Sequence, residues 1–299
     1  MEPKKTELSI LIPVYNTVCT SFVRQLQQQA ERAAIDYEII VADDASTQQP
    51  CVEENRQLQQ LPNCQYIIKE VNTGAAATRN FLARQSRYQW LLFLDCDMQL
   101  PDDQFISRYL AAVDTPVING GISIGGDPQR LRTNLRYRYE KTEEPNHTAQ
   151  CRQQRPYQSF RSTNFLIRRD VMLSCPFDER FLRSGYEDVH FGKLLGREHI
   201  EIAHIDNPLL MTDYEPNDAY LTKVERSLQT LHTFRNELQG YSPLLTFVDG
   251  IHIGAVKAVI QLWHKLFGKL ERRCLCRLTT NQLLFKLYKL GYFLTLNKD

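Results

Sequence analysis

A chain of 299 residues with 42% hydrophobic and 24% charged side chains can bury one large core or two smaller ones, which excludes disorder as the starting expectation. The formal net charge of +1 excludes a uniformly cationic surface, so no nucleic-acid partner is expected, yet the charge is unevenly spread: residues 257–299 carry +7 and residues 1–256 carry −6. The opening MEPKKTELSILIPVY is too short an apolar run for a secretory signal, no window of about 18 residues is free of charge, and the eight cysteines form no C-x-x-C pair, so a cytoplasmic protein with reduced thiols is expected.

Over residues 8–94, four short apolar runs (SILIPVY, YEIIVA, CQYIIK, WLLFL) alternate with stretches of helical period. That is the pattern of successive βαβ units and a parallel sheet. Between the first two runs, Phe22, Val23, Leu26, Ala30 and Ala33 recur at spacings of three and four, giving a helix one apolar face to lay on the sheet. Residues 52–61 and 75–85 supply weaker helical connections. After Pro101 the rhythm changes to a helix near 102–113, a strand near 117–121 and a polar stretch, LRTNLRYRYEKTEEPNH, without strand alternation. A strand near 164–168, a loop SCPFDERFLRSG, a helix beginning around Glu187 and a strand at 200–205 follow, and residues 219–238 are helical in period. Residues 257–298 interleave Leu, Phe, Trp and Tyr with Lys and Arg. They read either as a basic amphipathic helix lying in a membrane interface or as a helical hairpin packed on the rest of the chain with solvated lysines.

In an open α/β sheet, ligands bind outside the carboxyl ends of the strands. The residues there are unusually polar: Pro13-Val14-Tyr15-Asn16 after the first run, Asp43-Asp44-Ala45-Ser46 after the second, Asn72-Thr73-Gly74 after the third and Asp95-Cys96-Asp97 after the fourth. No G-x-G-x-x-G follows the first strand, which argues against a dinucleotide site. One such carboxylate could simply cap a helix. Asp95 and Asp97, however, lie two apart on extended chain and so on one side of the ribbon. They repel each other unless a cation sits beside them, and Mg²⁺ or Mn²⁺ shared with phosphate oxygens is the usual solution. The pattern indicates a metal–diphosphate site.

The segments SILIPVYN, DYEIIVADDAST, NTGAAATRN, WLLFLDCDMQLP, STNFLIRRDVM and FDERFLRSGYEDVHFGKLL, in this order, resemble the family 2 glycosyltransferases of the GT-A fold. The resemblance runs from Leu8 to about Leu238. It implies an α/β fold with a Rossmann-like, mostly parallel central sheet flanked by helices, and a C-terminal helical extension. It also implies a division into a catalytic domain, 1–240, and a basic amphipathic extension, 241–299; within the domain, 1–100 would hold the nucleotide and 101–240 the acceptor. The activity implied is transfer of a sugar, with inversion, from a UDP-sugar to a hydroxyl of a glycan or lipid-linked glycan, as in bacterial polysaccharide or lipopolysaccharide assembly. Carried over residue by residue, Pro13, Tyr15, Asn16, Asp43 and Asp44 fall at the nucleoside, Gly74 and Arg79 near the base or diphosphate, Asp95 on the ribose and Asp97 on the Mn²⁺ or Mg²⁺. Glu187-Asp188 matches the family's acidic pair, with Asp188 the expected general base; acids at the positive end of a helix are favoured in any case.

One departure stands out. Where near relatives carry a histidine that completes the metal shell, NPLLMTDYEPN places Met211, and a thioether is a poor ligand for a hard cation. Either diphosphate and water fill the shell, or His204 or His190 substitutes, or the ion is held weakly. Two rival readings remain distinct in chemistry. A nucleotidyltransferase would release pyrophosphate, and a non-catalytic glycan- or partner-binding protein would show no metal-enhanced UDP binding.

Overall fold

The computed structural model describes residues 5–182 and 185–296. Arg183 and Ser184, inside the FDERFLRSGYEDVHFGKLL segment, and Asn297, Lys298 and Asp299, at the end of the basic tail, lie outside the described residues. The four apolar runs form β1 (Glu7–Val14), β2 (Asp36–Asp43), β3 (Cys64–Ile68) and β4 (Trp90–Leu94). Shorter strands follow: β5 (Val117–Asn119), β6 (Ile122–Ile124), β7 (Asn164–Arg168), β8 (Ile202–His204) and β9 (Leu209–Met211). Seven of them make one sheet in the order β3-β2-β1-β4-β7-β5-β8. All neighbours run parallel except β7, which is antiparallel to both β4 and β5.

The pleat sends alternate residues into two cores. Leu8, Ile10, Ile12 and Val14 of β1 face one layer, where Phe22, Val23, Leu26 and Ala30 of the helix Thr20–Arg32 cover them. Leu11, with Ile40 and Ala42 of β2, faces the other layer, against Ala76, Leu82 and Ala83 of the helix Gly74–Gln85. A sheet buried on both faces needs apolar residues at every position, which is why the first two and the fourth runs are continuous rather than alternating. The helices expected near 102–113 and from Glu187 appear as Phe105–Ala111 and Glu187–Arg197. The polar stretch after Arg130 holds a helix, Leu135–Glu143, started by Asn134, whose side chain accepts the N–H of Tyr137. Strands β6 and β9 pair with each other as a small second sheet. At three residues each they are too short for a period to register in the sequence.

The tail is helical and packed. Helices Gly254–Arg277 and Gln282–Thr295 lie against the helix Asn217–Thr233, and Pro243–Gly250 shares a core cluster with it. One satellite core joins Phe181, Leu228, Leu231 and Leu238 to Leu245, Val248 and Phe293; a second joins Leu135, Tyr220 and Leu221 to Leu275, Phe285 and Tyr288. Among the described residues no helix is long and apolar enough to cross a membrane.

Candidate active site

Parallel register sets Val14 at the end of β1 beside Asp43 at the end of β2, so the polar residues that follow β1, β2 and β4 converge at one rim of the sheet. They line a cleft of about 1230 Å³ together with Gly74, Arg79 and Glu187 from neighbouring helices. Pro13 and Tyr15 come from the end of β1, Asp44 from the end of β2, and Asp95 and Asp97 from the end of β4. Tyr15 is 47% exposed, its ring free on the cleft side.

Asp44 is the best-anchored carboxylate. Burial alone would raise it, but Lys69 Nζ at 2.6 Å and the backbone N–H groups of Thr73 and Gly74 outweigh that and hold it below the ordinary carboxylate range. This ties the end of β2 to the start of the helix Gly74–Gln85. Gly74 itself has φ +85°, and a Cβ there would lie 2.7 Å from the carbonyl oxygen of Leu182, so backbone meets backbone only because the side chain is a hydrogen.

Asp95 receives Arg79 Nη2 at 2.7 Å, and Arg79 Nη1 lies 3.9 Å from Glu187 Oε1. The Arg79 side chain is nearly buried, and its Nε and Nη1 have no hydrogen-bond partner among the described residues. Buried guanidinium donors left unmatched on a cleft wall fit an incoming oxyanion. Asp97 is raised, first by burial and then by the charge of Asp95; Arg136 and Lys223 moderate it only through space. A carboxyl pair in that condition is relieved by a hard cation, and two carboxylates plus phosphate oxygens suit Mg²⁺ or Mn²⁺.

Glu187 lines the cleft and accepts the N–H of Gly185, whereas Asp188, one residue on, is not part of the cleft wall. The Asp188 carboxyl is raised to about 6, first by burial and then by Glu187, against the N–H of Val189.

Besides Asp188, four expected positions fall away from the cleft. Asp43 is fully buried and accepts the N–H of Ser46 and the hydroxyl of Tyr66. Asn16, at φ +53°, accepts the N–H groups of Thr47 and Gln48 and donates its own N–H to Ser46 Oγ. Both shape the loop after β2 that presents Asp44; neither lines the cleft. His204 is buried between Arg152, Nη1 to Nδ1 at 3.0 Å, and the carbonyl of Pro156, and burial pushes it down to about 4. Both of its ring nitrogens are therefore engaged by protein groups, and no group of three His, Cys, Asp or Glu capable of holding an ion occurs among the described residues. His190 packs on Phe181 and 4.0 Å from Asp178. Met211 is a core side chain of β9.

The far wall was invisible in the motifs. The helix Asn217–Thr233 contributes Asp218, Thr222, Glu225, Arg226 and Gln229, and the tail adds Arg272 and Tyr292. Steps of three and four between those polar residues are the one signal that could have marked the wall, as a hydrophilic stripe on a single helix face.

Such a sheet order, with an acidic pair at a central strand tip and a helix-walled cleft over it, defines a GT-A fold. The chain belongs to glycosyl transferase family 2, whose sequence pattern matches residues 9–174, more than half of its length. It is 35% identical over 114 residues to a chondroitin synthase of Escherichia coli, a match covering 37% of this chain and 16% of that protein. It is 36% identical over 90 residues to an uncharacterized glycosyltransferase of Haemophilus influenzae, covering 30% of this chain and 29% of the other. The match therefore spans well under half the length of either relative. In fold it is similar to mannosyltransferase PcManGT from Pyrobaculum calidifontis, solved with GDP-Man and Mn²⁺, with TM-score 0.58, 14% identity and coverage of 96% of this chain and 84% of that one. It is also similar to S. aureus TarS 1-349, solved with UDP-GlcNAc, with TM-score 0.52, 16% identity and coverage of 97% and 90%.

Proposed function

We propose that this protein transfers a sugar, with inversion, from a UDP-sugar to a hydroxyl of a glycan or lipid-linked glycan. The observation that carries the reading is the unmatched Nε and Nη1 of Arg79 beside Asp95 and Asp97 in a cleft that also holds Tyr15 and Asp44. Tyr15 and Pro13 flank the base, Asp44 accepts from it, Asp95 holds the ribose, and Arg79 meets the diphosphate with its planar fork. Asp97, aided by Asp95, would hold Mn²⁺ or Mg²⁺, which supplies Lewis-acid stabilisation to the departing diphosphate. That solved fold neighbours carry GDP-Man with Mn²⁺ and UDP-GlcNAc supports a nucleotide-sugar donor and a divalent ion.

The acceptor hydroxyl must lose its proton as its oxygen attacks the anomeric carbon, and one carboxylate suffices for a single inverting displacement. Asp188, directly behind Glu187 on the cleft wall, is the proposed acceptor of that proton through one bridging water: a carboxyl at about 6 is both ionised at neutral pH and basic enough to accept. Glu187 orients Arg79 and raises Asp188. A screen of UDP- and GDP-sugars for donor hydrolysis tests the reading without knowledge of the acceptor. Release of UDP or GDP, dependent on Mn²⁺ or Mg²⁺, is expected; release of pyrophosphate, or no metal-dependent turnover with any donor, would refute it.

We infer that the exposed side of the tail meets the inner face of a membrane. Along Gly254–Arg277, Val256, Val259, Leu262, Trp263, Leu266 and Leu270 are between 42% and 66% exposed and share one face. Lys265, Lys269 and Arg273 edge that face, and the helix's one acid, Glu271, is buried against Trp263 and His264. A second copy would set like charges together, whereas an anionic lipid surface complements them. Flotation with phosphatidylglycerol vesicles should carry the intact protein and leave Leu262→Glu/Leu266→Glu behind; equal flotation of both defeats the assignment.

A further inference from the structure

A second hollow, of about 970 Å³, opens beside the cleft between the helix Gly254–Arg277 and residues 130–134, and the two share Asp218 and Arg272. Its walls carry Arg130, Lys269, Arg273 and Arg277 against the single carboxylate of Asp218. Arg272 is committed, its Nε to Glu225 at 2.8 Å. The other four cations have no carboxylate within ion-pair distance among the described residues. Lys269, Arg273 and Arg277 step by four along one helix, so they repeat at about 6 Å on a single side. The hollow is also built rather than incidental. Asn217 accepts the N–H of Leu135 with Oδ1 and donates Nδ2 to the carbonyl of Thr133, with longer contacts to the carbonyls of Leu275 and Cys276, fixing both walls to one point.

We propose that this basic groove is the subsite for the acceptor chain and that the acceptor is an acidic glycan, one bearing carboxylate or phosphate groups at intervals. The inference rests on the transferase reading and extends it to the class of acceptor. A lone small anion can engage one or two of the four cations, whereas a chain of spaced anions answers the whole row. Residues 1–256 carry −6 and repel such a chain elsewhere, so the groove both attracts it and delivers its end to the cleft at Asp218 and Arg272. Unpaired arginines suit carboxylate and phosphate equally.

The test compares a fluorescent oligosaccharide of alternating neutral sugar and uronic acid with its carboxyl-reduced counterpart, using the full chain without vesicles. The acidic form should bind at least about tenfold more tightly, with a Kd that weakens steeply as salt rises. Arg273→Glu/Arg277→Glu should abolish that preference, and Arg273→Lys/Arg277→Lys should restore most of it. UDP binding in Mn²⁺ should stay at the wild-type value in both variants, since neither side chain lines the donor cleft. Equal affinity for the two oligosaccharides overturns the proposal, as does a preference that survives the glutamates. So does a double variant that loses only vesicle flotation, because the cations would then serve lipid headgroups. Absence of UDP binding in the wild type would instead strike the transferase reading itself.

Discussion

Asp188 and Glu187 are adjacent acids with different surroundings, and the difference separates the roles proposed for them. Asp188→Asn should keep UDP affinity while turnover falls at least about a hundredfold, read from steady-state kinetics with a fixed donor. Because the working form is the carboxylate and its folded pKa is about 6, kcat should fall as pH drops below that value. The same shift has a cost in stability. The folded pKa lies above the unfolded one, so what Asp188 contributes is fully present only below pH 3.8 and is lost as pH rises through 6. Thermal unfolding at pH 7.5 should accordingly show Asp188→Asn more stable than the parent; a lower Tm would place the carboxylate in a favourable environment that the geometry does not contain. His204 behaves oppositely. Held neutral at all working pH values by burial, it braces Arg152, and His204→Gln should cost roughly 1–3 kcal/mol of stability, read as a lower Tm, while leaving the expected Mn²⁺-dependent UDP binding unchanged, as isothermal titration would reveal. At this scale the strand-tip acids were legible as a pair, but not their geometry: β4 ends at Leu94 and residues 96–97 form a turn, so the turn and not an extended ribbon brings both to the cleft. The duty of Asp43 was not: nothing in the letters separates an acid that faces solvent from one that receives Tyr66.

Among the elements, the helix Gly74–Gln85 shows how local geometry fixes a site. Its first residue is held by Asp44 and pressed on Leu182, so Gly74→Ala must strain a left-handed backbone and push a carbonyl aside. We expect a loss of about 1–3 kcal/mol by denaturant titration and a UDP affinity at least about tenfold weaker. Strands β1, β2, β4 and β7 could be read from continuous apolar runs, since two-sided burial leaves its mark on every residue. The little β6–β9 sheet could not, for it is specified by partners 87 residues apart (Ile122 and Leu209) and not by its own period. The helix Asn217–Thr233 was legible as a helix but not as a wall, because its polar stripe looks the same facing water or facing a ligand.

For the molecule as a whole, the tail completes the enzyme. Removing residues 241–299 would strip Leu245, Val248 and Phe293 from one satellite core and Leu275, Phe285 and Tyr288 from another, and take Arg272 and Tyr292 from the cleft. Such a truncation should melt well below the full chain and bind UDP poorly, as circular dichroism and titration would record. The charge imbalance of the sequence pointed to the tail, but a basic amphipathic helix has two sides, and only packing reveals that one of them closes the site. The shared wall has a further meaning for anyone recombining relatives. With Arg272 borne by the last third of the chain and the strand-tip acids by the first, the cleft is not confined to one separable module, and neither are the donor and acceptor preferences proposed for it. A hybrid that joins the first 240 residues to a foreign ending would inherit its selectivity from both parents, and a specificity transplant must carry the two ends together.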